Sequence, residues 1–259
     1  MKMKKILSAV MAIAMCASLA SCGAKKDEAA NNDGTKYVIA TDKGFSPFEF
    51  QDAEGNIVGI DMDILAAIAE DQGFTYDLQY IGFDSAIAAC QAGQADGMIA
   101  GASITDGRKN EGWIFSDSYY DATQGCAVAK DSDIAGFEDL AGKKVAVKNG
   151  TMSNTYADSI KDQYGFEVVT FQTSPDMYQA VMGGQADACL DDTPILKYNI
   201  TTSELDMKFL DGTENEPAPY GFAIFDASKQ ELVDKFNAGL ANIKENGKYD
   251  EIVAKYLGE

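Results

Sequence analysis

Gly93-Gln94-Ala95-Asp96 and Gly184-Gln185-Ala186-Asp187 are the same four residues, 91 positions apart, and each copy stands between a helix-patterned run and a short apolar one. Before the first copy, residues 84–92 carry small apolar side chains at helical spacing and Gly93 is placed to stop them; residues 97–100 then read as a short buried strand. Before the second copy, residues 175–182 read as a helix, and 188–191 follow as a strand. Four identical residues carry little weight alone, but their shared position between the same two elements carries more. Working outward, 37–40 and 75–81 read as strands around a helix in which Met62, Leu65, Ala66, Ile68 and Ala69 recur at helical spacing before Gly73. Downstream, strands at 144–147 and 167–171 flank a helix at 153–164. The β-α-β-α-β order therefore occurs twice. It predicts an α/β protein of two lobes with related topology, each ending its strands at an edge where ligands usually bind. Asp96 and Asp187 read as helix-to-strand turn residues, not as site residues.

The C-terminal part leaves this rhythm. Residues 214–219 contain two of the chain's five prolines, 220–225 read as a strand, and 229–246 and 248–257 read as helices able to pack back on the first lobe. The expected division is a signal peptide at 1–21, a tether at 22–35, lobe one at 36–119 with 221–259, and lobe two at 124–215. Two strands cross between the lobes, with hinges near 119–124 and 216–220.

Composition narrows the function. The 259 residues hold 21 Lys plus Arg against 41 Asp plus Glu, a formal charge of −20, and no His. Without His there is no Ser-His-Asp or Cys-His catalytic apparatus and no His-ligated zinc. So negative a chain lacks the clustered cations that neutralise phosphates, so no nucleic-acid partner is expected. Lys2, Lys4 and Lys5 precede an uncharged apolar run over 6–20, the charged and hydrophobic regions of a secretory signal, too short to span a bilayer. Leu19-Ala20-Ser21-Cys22 resembles a bacterial lipobox, which implies cleavage before Cys22 and lipid on its thiol. Residues 23–35 contain no apolar side chain larger than Ala and read as a flexible tether. Cys90, Cys126 and Cys189 are widely spread, with no C-x-x-C spacing for a metal or redox site; buried free thiols are expected, one disulfide plus one thiol being the alternative.

Few residues could carry chemistry. Arg108 is the only Arg, and its guanidinium fork suits a carboxylate; it follows the small-residue loop Gly101-Ala102-Ser103-Ile104-Thr105-Asp106, whose Thr105 or Asp106 could equally cap a helix. Asp42 ends the first strand and is followed by Phe45 and Phe48 around Pro47, while Phe83 opens the next helix; these aromatics could line a pocket or belong to the core. Lys148 precedes Asn149-Gly150-Thr151, a turn into a helix N-terminus that could receive an anion but is too poor in glycine for a P-loop. Asp191 and Asp192 read as a carboxylate pair on a loop before Pro194, open to a role as acid and base, as a cation site, or as turn residues.

At these residues the chain resembles the polar-amino-acid-binding proteins of ABC importers, and among them the glutamine binders, from about Tyr37 to Gly258. The carrying segments are Ala40-Thr41-Asp42 through Phe45-Ser46-Pro47-Phe48-Glu49-Phe50, Gly59-Ile60-Asp61-Met62-Asp63, Ser103 through Lys109, Phe115 through Tyr120, Asp139 through Lys148, and Asn246-Gly247-Lys248-Tyr249. The resemblance implies a type II periplasmic-binding-protein-like fold with the ligand cleft between the lobes, and a monomer that delivers an amino acid to a membrane permease, with no cofactor and no metal. It assigns the ligand α-carboxylate to Arg108, Ser103 and the backbone at Thr151 and Met152. The α-ammonium falls to Asp192, the Gly101 carbonyl and Ser103. Phe45 and Phe83 sandwich the ligand side chain, and Asp42 and Lys148 read its tip, one accepting and one donating, which suits a carboxamide. Three positions depart from the glutamine-binder pattern: Asp191 where His is common, Met152 where Gly is common, and Ser103 in place of Thr. Asp42 and Asp191 against Lys148 leave that end of the pocket net negative, so arginine or lysine stands as the alternative ligand behind glutamine. A ligand-sensing module, or an enzyme resembling the periplasmic dehydratases, are the readings from other classes.

Overall fold

The computed structural model describes residues 34–202 and 205–258. The signal, Cys22 and all but the last two residues of the tether lie outside them. Two five-stranded sheets form the body of the protein. In the first, the order is Thr75–Tyr80, Lys36–Thr41, Gly97–Met98, Ala223–Ile224, Ile114–Phe115. The first three strands are parallel, and Ala223–Ile224 runs antiparallel to both of its neighbours. In the second, the order is Glu167–Phe171, Lys144–Lys148, Ala188–Asp192, Gln124–Ala129, Met207–Leu210, again with three parallel strands and Gln124–Ala129 antiparallel to both neighbours. The two sheets thus share one order and one pattern of polarity.

The repeated tetrapeptide does the same work in each. Asp96 donates its N–H to the Val38 carbonyl at 2.7 Å and accepts from the Val38 N–H at 2.8 Å. Asp187 makes the same reciprocal pair with Lys144, both bonds 2.8 Å. Each aspartate therefore fastens a helix-to-strand turn to the middle one of the three parallel strands of its own sheet, using a side-chain oxygen where a ladder partner is missing.

Both faces of both sheets are covered, which is why inner strands such as Lys36–Thr41 and Lys144–Lys148 read as apolar runs, whereas the edge strand Thr75–Tyr80 alternates. Ile39 faces the cluster built with Ile64, Leu65, Ile68 and Phe236, while its neighbour Ala40 faces Phe83, Ala86 and Trp113. In lobe two Val145 and Val147 face Leu140, Ala157 and Phe166, and Ala146 faces Met177, Tyr178 and Val181 on the other side. Helix Ile60–Gln72 ends at Gly73 in the left-handed conformation. Helices Gln230–Glu245 and Lys248–Leu257 pack on that helix in lobe one. Among the described residues no helix is long and apolar enough to cross a membrane. Cys90, Cys126 and Cys189 are free and buried.

Two sequence expectations change here. Residues 220–225 are not one strand. Ala218–Tyr220 pairs antiparallel with Tyr120–Ala122 between the two sheets, and Ala223–Ile224 joins the lobe-one sheet. The break falls at Gly221, where an added Cβ would lie 2.9 Å from the Ile104 side chain. An apolar run does not show that its pairing partner changes midway. Asp191 and Asp192 do not lie on a loop either. They close the strand Ala188–Asp192, opposite Gly125 and Gln124 of a strand more than sixty residues earlier, and helix Thr193–Thr202 begins at once with Pro194 in its first turn.

Candidate functional site

The parallel strands of both sheets end toward one another. Lys36–Thr41 delivers Asp42, Lys144–Lys148 delivers Lys148, and Ala188–Asp192 delivers Asp191 and Asp192. The helices that follow begin at the same edge. Phe83 opens Phe83–Gln91, Met152 opens Met152–Tyr164, and Thr151 caps the latter by accepting the Asn154 N–H. Thr105 caps the short helix Asp106–Asn110, which carries Arg108.

Ten of the eleven residues singled out from sequence line one cavity: Phe45, Phe83, Gly101, Ser103, Arg108, Lys148, Thr151, Met152, Asp191 and Asp192, joined by Ala100. Asp42 stands just behind, its carboxylate bonded to the Lys148 ammonium. The cavity offers about 10 Å³, room for about one water molecule. A second cavity of about 520 Å³, lined by Arg108, Thr151 and Met152 together with Thr105, Gly150 and Asn154, adjoins it.

The two cations are stacked on aromatic rings. The Lys148 ammonium lies 4.7 Å from the Phe45 ring centre and 5.4 Å from that of Phe83. The Arg108 guanidinium lies 5.5 Å from Phe83 and 4.9 Å from Trp113. Phe83 is thus shared by both cations, and the slot between Phe45 and Phe83 holds Lys148. Trp113, the chain's one tryptophan, was not singled out from sequence; only its place five residues after the sole arginine could have drawn notice. Arg108 also donates to the Ser103 carbonyl at 2.8 Å and, across to lobe two, to the Gly150 carbonyl at 3.1 Å.

Lys148 and Asp42 are both fully buried, and the pair joins the two lobes. Burial works against the lysine charge, yet Asp42, with Asp191 and Glu49 behind it, raises the Lys148 pKa above its ordinary value. The lobes meet again where Asn149 donates to Asp84 at 2.8 Å and Asn199 to the Ser46 carbonyl at 3.1 Å.

Asp191 and Asp192 have different surroundings. Asp191 accepts from the Tyr178 hydroxyl at 2.7 Å and the Asp192 N–H at 2.9 Å. Asp192 accepts from the Gln124 amide at 2.7 Å, the Ser153 hydroxyl at 3.3 Å and the Tyr220 hydroxyl. Burial, reinforced by the Asp191 charge, pushes Asp192 up to about 6. Gly101 sits in the left-handed region at φ +55°, and a Cβ there would come within 2.6 Å of the Phe45 ring, so only glycine fits. Among the described residues no cluster of three or more acidic, Cys or His side chains could hold a metal ion.

Residues 37–259 match the model of the bacterial extracellular solute-binding proteins, family 3. The chain belongs to that family. It is therefore an extracytoplasmic amino-acid-binding protein of an ABC importer. Among curated relatives, the ABC transporter glutamine-binding protein GlnH of Bacillus subtilis is 33% identical over 99% of this chain and 98% of its own. A probable histidine-binding protein of Neisseria gonorrhoeae is 30% identical over 100% of this chain and 97% of its own. Among solved structures, substrate-binding domain 2 of Lactococcus lactis GlnP in an open conformation is 39% identical, covers 89% of this chain and 99% of its own, and superposes with a TM-score of 0.61. An ancestral arginine-binding protein bound to arginine is 34% identical over 85% of this chain and 97% of its own, with a TM-score of 0.78. The likeness confirms the two-lobe, type II binding-protein fold.

Proposed function

We propose that this solute-binding protein captures a free polar amino acid, glutamine ahead of arginine or lysine, by closing its lobes, and hands it to its permease as a lipid-anchored monomer. The observation that carries the ligand choice is the Lys148–Asp42 pair held between Phe45 and Phe83. A carboxamide entering that slot can accept from Lys148 and donate to Asp42, whereas a cationic side chain meets the Lys148 ammonium at close range. Arg108 takes the α-carboxylate and Asp192 the α-ammonium, with the Gly101 carbonyl and Ser103 completing the clamp.

Closure follows from where these groups sit. Arg108 belongs to the first lobe and Asp192 to the second, so one zwitterion spans both. A cavity of about 10 Å³ cannot admit an amino acid from solvent, so the lobes must part. The hinge is the antiparallel pair Tyr120–Ala122 and Ala218–Tyr220, through which the chain crosses twice. The structural likeness supports this. The open GlnP domain is the more identical relative yet superposes less well than the arginine-bound protein, as a rotation of rigid lobes would produce. Periplasmic binding proteins are a standing case of such hinge closure, and a ligand drives it only by contacts that exist in the closed form.

Asp192 makes the affinity pH-dependent. Its pKa of about 6 means that, below that pH, the ammonium must displace a proton. Ligand Kd is expected to rise as pH falls through about 6, approaching about tenfold per pH unit. Calorimetric titrations from about pH 5 to about pH 8 check this; a Kd flat across that range would remove Asp192 from the ammonium site.

Thermal unfolding of residues 35–259 against each standard amino acid tests the ligand class. A ligand at 100 times its Kd adds about 2.7 kcal/mol of stability. Glutamine is expected to give the largest shift. Arginine or lysine in first place would mean that Asp42 and Asp191 outweigh Lys148, and no shift with any would remove the cleft from amino-acid binding.

A further inference from the structure

Two carboxyl groups beneath the Phe45 and Gly101 wall take no part in the clamp just described. Glu49 and Asp61 are both fully buried. Glu49 is tied to Phe45, whose N–H donates to the Glu49 carbonyl at 2.9 Å. Asp61 lies in the first turn of helix Ile60–Gln72. One oxygen of Asp61, Oδ2, accepts from the Gly101 N–H and from the Tyr119 hydroxyl, each at 3.0 Å. Among the described residues, no donor reaches Oδ1 of Asp61 or either oxygen of Glu49. The two carboxyl groups neighbour one another, and each acts on the protonation of the other.

Two carboxylates cannot bond to each other, since each only accepts. Buried, and with donors on one of their four oxygens only, a pair of anions here would be strongly unfavourable. A single proton removes the difficulty: a protonated Glu49 becomes the donor that Asp61 Oδ1 lacks, and Asp61 keeps the charge that Gly101 and Tyr119 stabilise. The titratable groups whose charges act on the pair are Asp42, Lys148, Tyr80, Tyr119 and Tyr249, of which Tyr119 bonds to Asp61. Lys148, the one cation among them, is already bonded to Asp42. Burial, then the charges of Asp61 and Asp42, raise Glu49 well above the usual carboxylate range. Burial lifts Asp61 to about 7.

We propose that Glu49 and Asp61 hold one proton between them and that this carboxyl–carboxylate pair is a positioning element, fixing the Gly101 N–H and with it the cavity wall formed by Gly101 and Phe45. Gly101 needs such a tether. Its backbone is left-handed, its ring neighbour leaves no room for a Cβ, and its carbonyl is the one assigned to the ligand ammonium. That last role rests on the amino-acid reading above; the shared proton does not.

The test on the full chain has a ligand-free arm and a ligand arm. In native electrophoresis at about pH 8, Glu54→Gln, at an exposed position, removes one negative charge and sets the scale. Glu49→Gln is expected to leave the mobility unchanged, because proton and carboxyl leave together. A full one-charge loss would show both groups ionised, and Asp61→Asn leaving the mobility unchanged as well, where one negative charge should be lost, would show both protonated; either overturns the proposal. The infrared band of a protonated carboxyl should persist in the unsubstituted protein at that pH and vanish in Glu49→Gln. Its absence from the unsubstituted protein overturns the proposal without any variant having to fold.

In the ligand arm, L-glutamine and L-arginine are titrated across pH. Affinity should fall on the alkaline side as the shared proton is lost, in addition to the fall caused by deprotonation of the ligand's own ammonium. Glu49→Gln, whose amide still donates to Asp61, should show only the ligand's share of that fall, whereas Asp61→Asn should bind about tenfold or more weakly at every pH. An alkaline fall in Glu49→Gln as large as in the unsubstituted protein overturns the positioning role. Failure of the unsubstituted protein to bind either amino acid would instead defeat the proposed function, leaving the ligand-free arm to decide the proton.

Discussion

Replacing Arg108 by alanine is expected to weaken amino-acid binding by about 3–5 kcal/mol, roughly 10²- to 10⁴-fold in Kd. The size comes from what stays behind. Asp192 still draws the ligand ammonium into a closing, desolvated cleft, where the ligand carboxylate then lacks its counter-charge. The substitution also removes the bond from Arg108 to the Gly150 carbonyl, one of the contacts that hold the lobes together. Lysine at this position should recover little, because an ammonium cannot reproduce the planar fork that stacks between Trp113 and Phe83. Calorimetric titration measures both variants. Near-unchanged affinity in Arg108→Ala would take the carboxylate away from this residue.

The second large effect is a change of preference. Lys148→Met keeps an apolar chain of similar length between Phe45 and Phe83 but leaves Asp42 and Asp191 without their cation in the closed cleft. An uncompensated buried charge costs about 3–5 kcal/mol, so glutamine affinity should fall by that order. Arginine brings its own cation to the same slot, where the two carboxylates and the two ring faces can hold it. The ratio of arginine to glutamine affinity should therefore rise by roughly 10²-fold or more. Paired titrations with the two amino acids give that ratio directly. A ratio unchanged from the parent protein would show that Lys148 does not set the choice.

Much of the site was legible one residue at a time. Arg108 stood out as the only arginine after a small-residue loop, and Lys148 as the last residue of a strand before a Gly-containing turn. Phe45, Phe83, Gly101, Ser103, Thr151 and Asp192 were noted with their roles open; the resemblance gave them ligand roles and added Met152, and the structure gathers all of these around one cavity. Two things were not legible. Phe45 and Phe83, read as flanking a ligand side chain, also flank the Lys148 ammonium. That follows from the distance between two strand ends in different lobes, which no local pattern encodes. Trp113 completes the stack on Arg108 because the short helix Asp106–Asn110 turns it back, with its N–H on the Arg108 carbonyl at 3.1 Å.

What the amino-acid order determined by itself was everything local and periodic: the doubled β-α-β-α-β rhythm, the helix ends at Gly73 and Thr151, and the shared tetrapeptide that turns each helix into a strand. Those features depend on residues within a few positions of one another, where propensity and capping act. The antiparallel strand Gln124–Ala129 draws its partners from 188–192 and 207–210, and Ala223–Ile224 draws its partners from 97–98 and 114–115. Pairing over such distances is chosen by the burial of both sheet faces at once, so it exists only in the folded chain. The same holds for charge. Asp42, Glu49, Asp61, Asp191 and Asp192 look alike as acidic letters. Folding gives the first a lysine, sets the next two against each other, and lines the cleft with the last two, because desolvation and hydrogen bonding act on where a carboxylate ends up and not on where it stands in the chain.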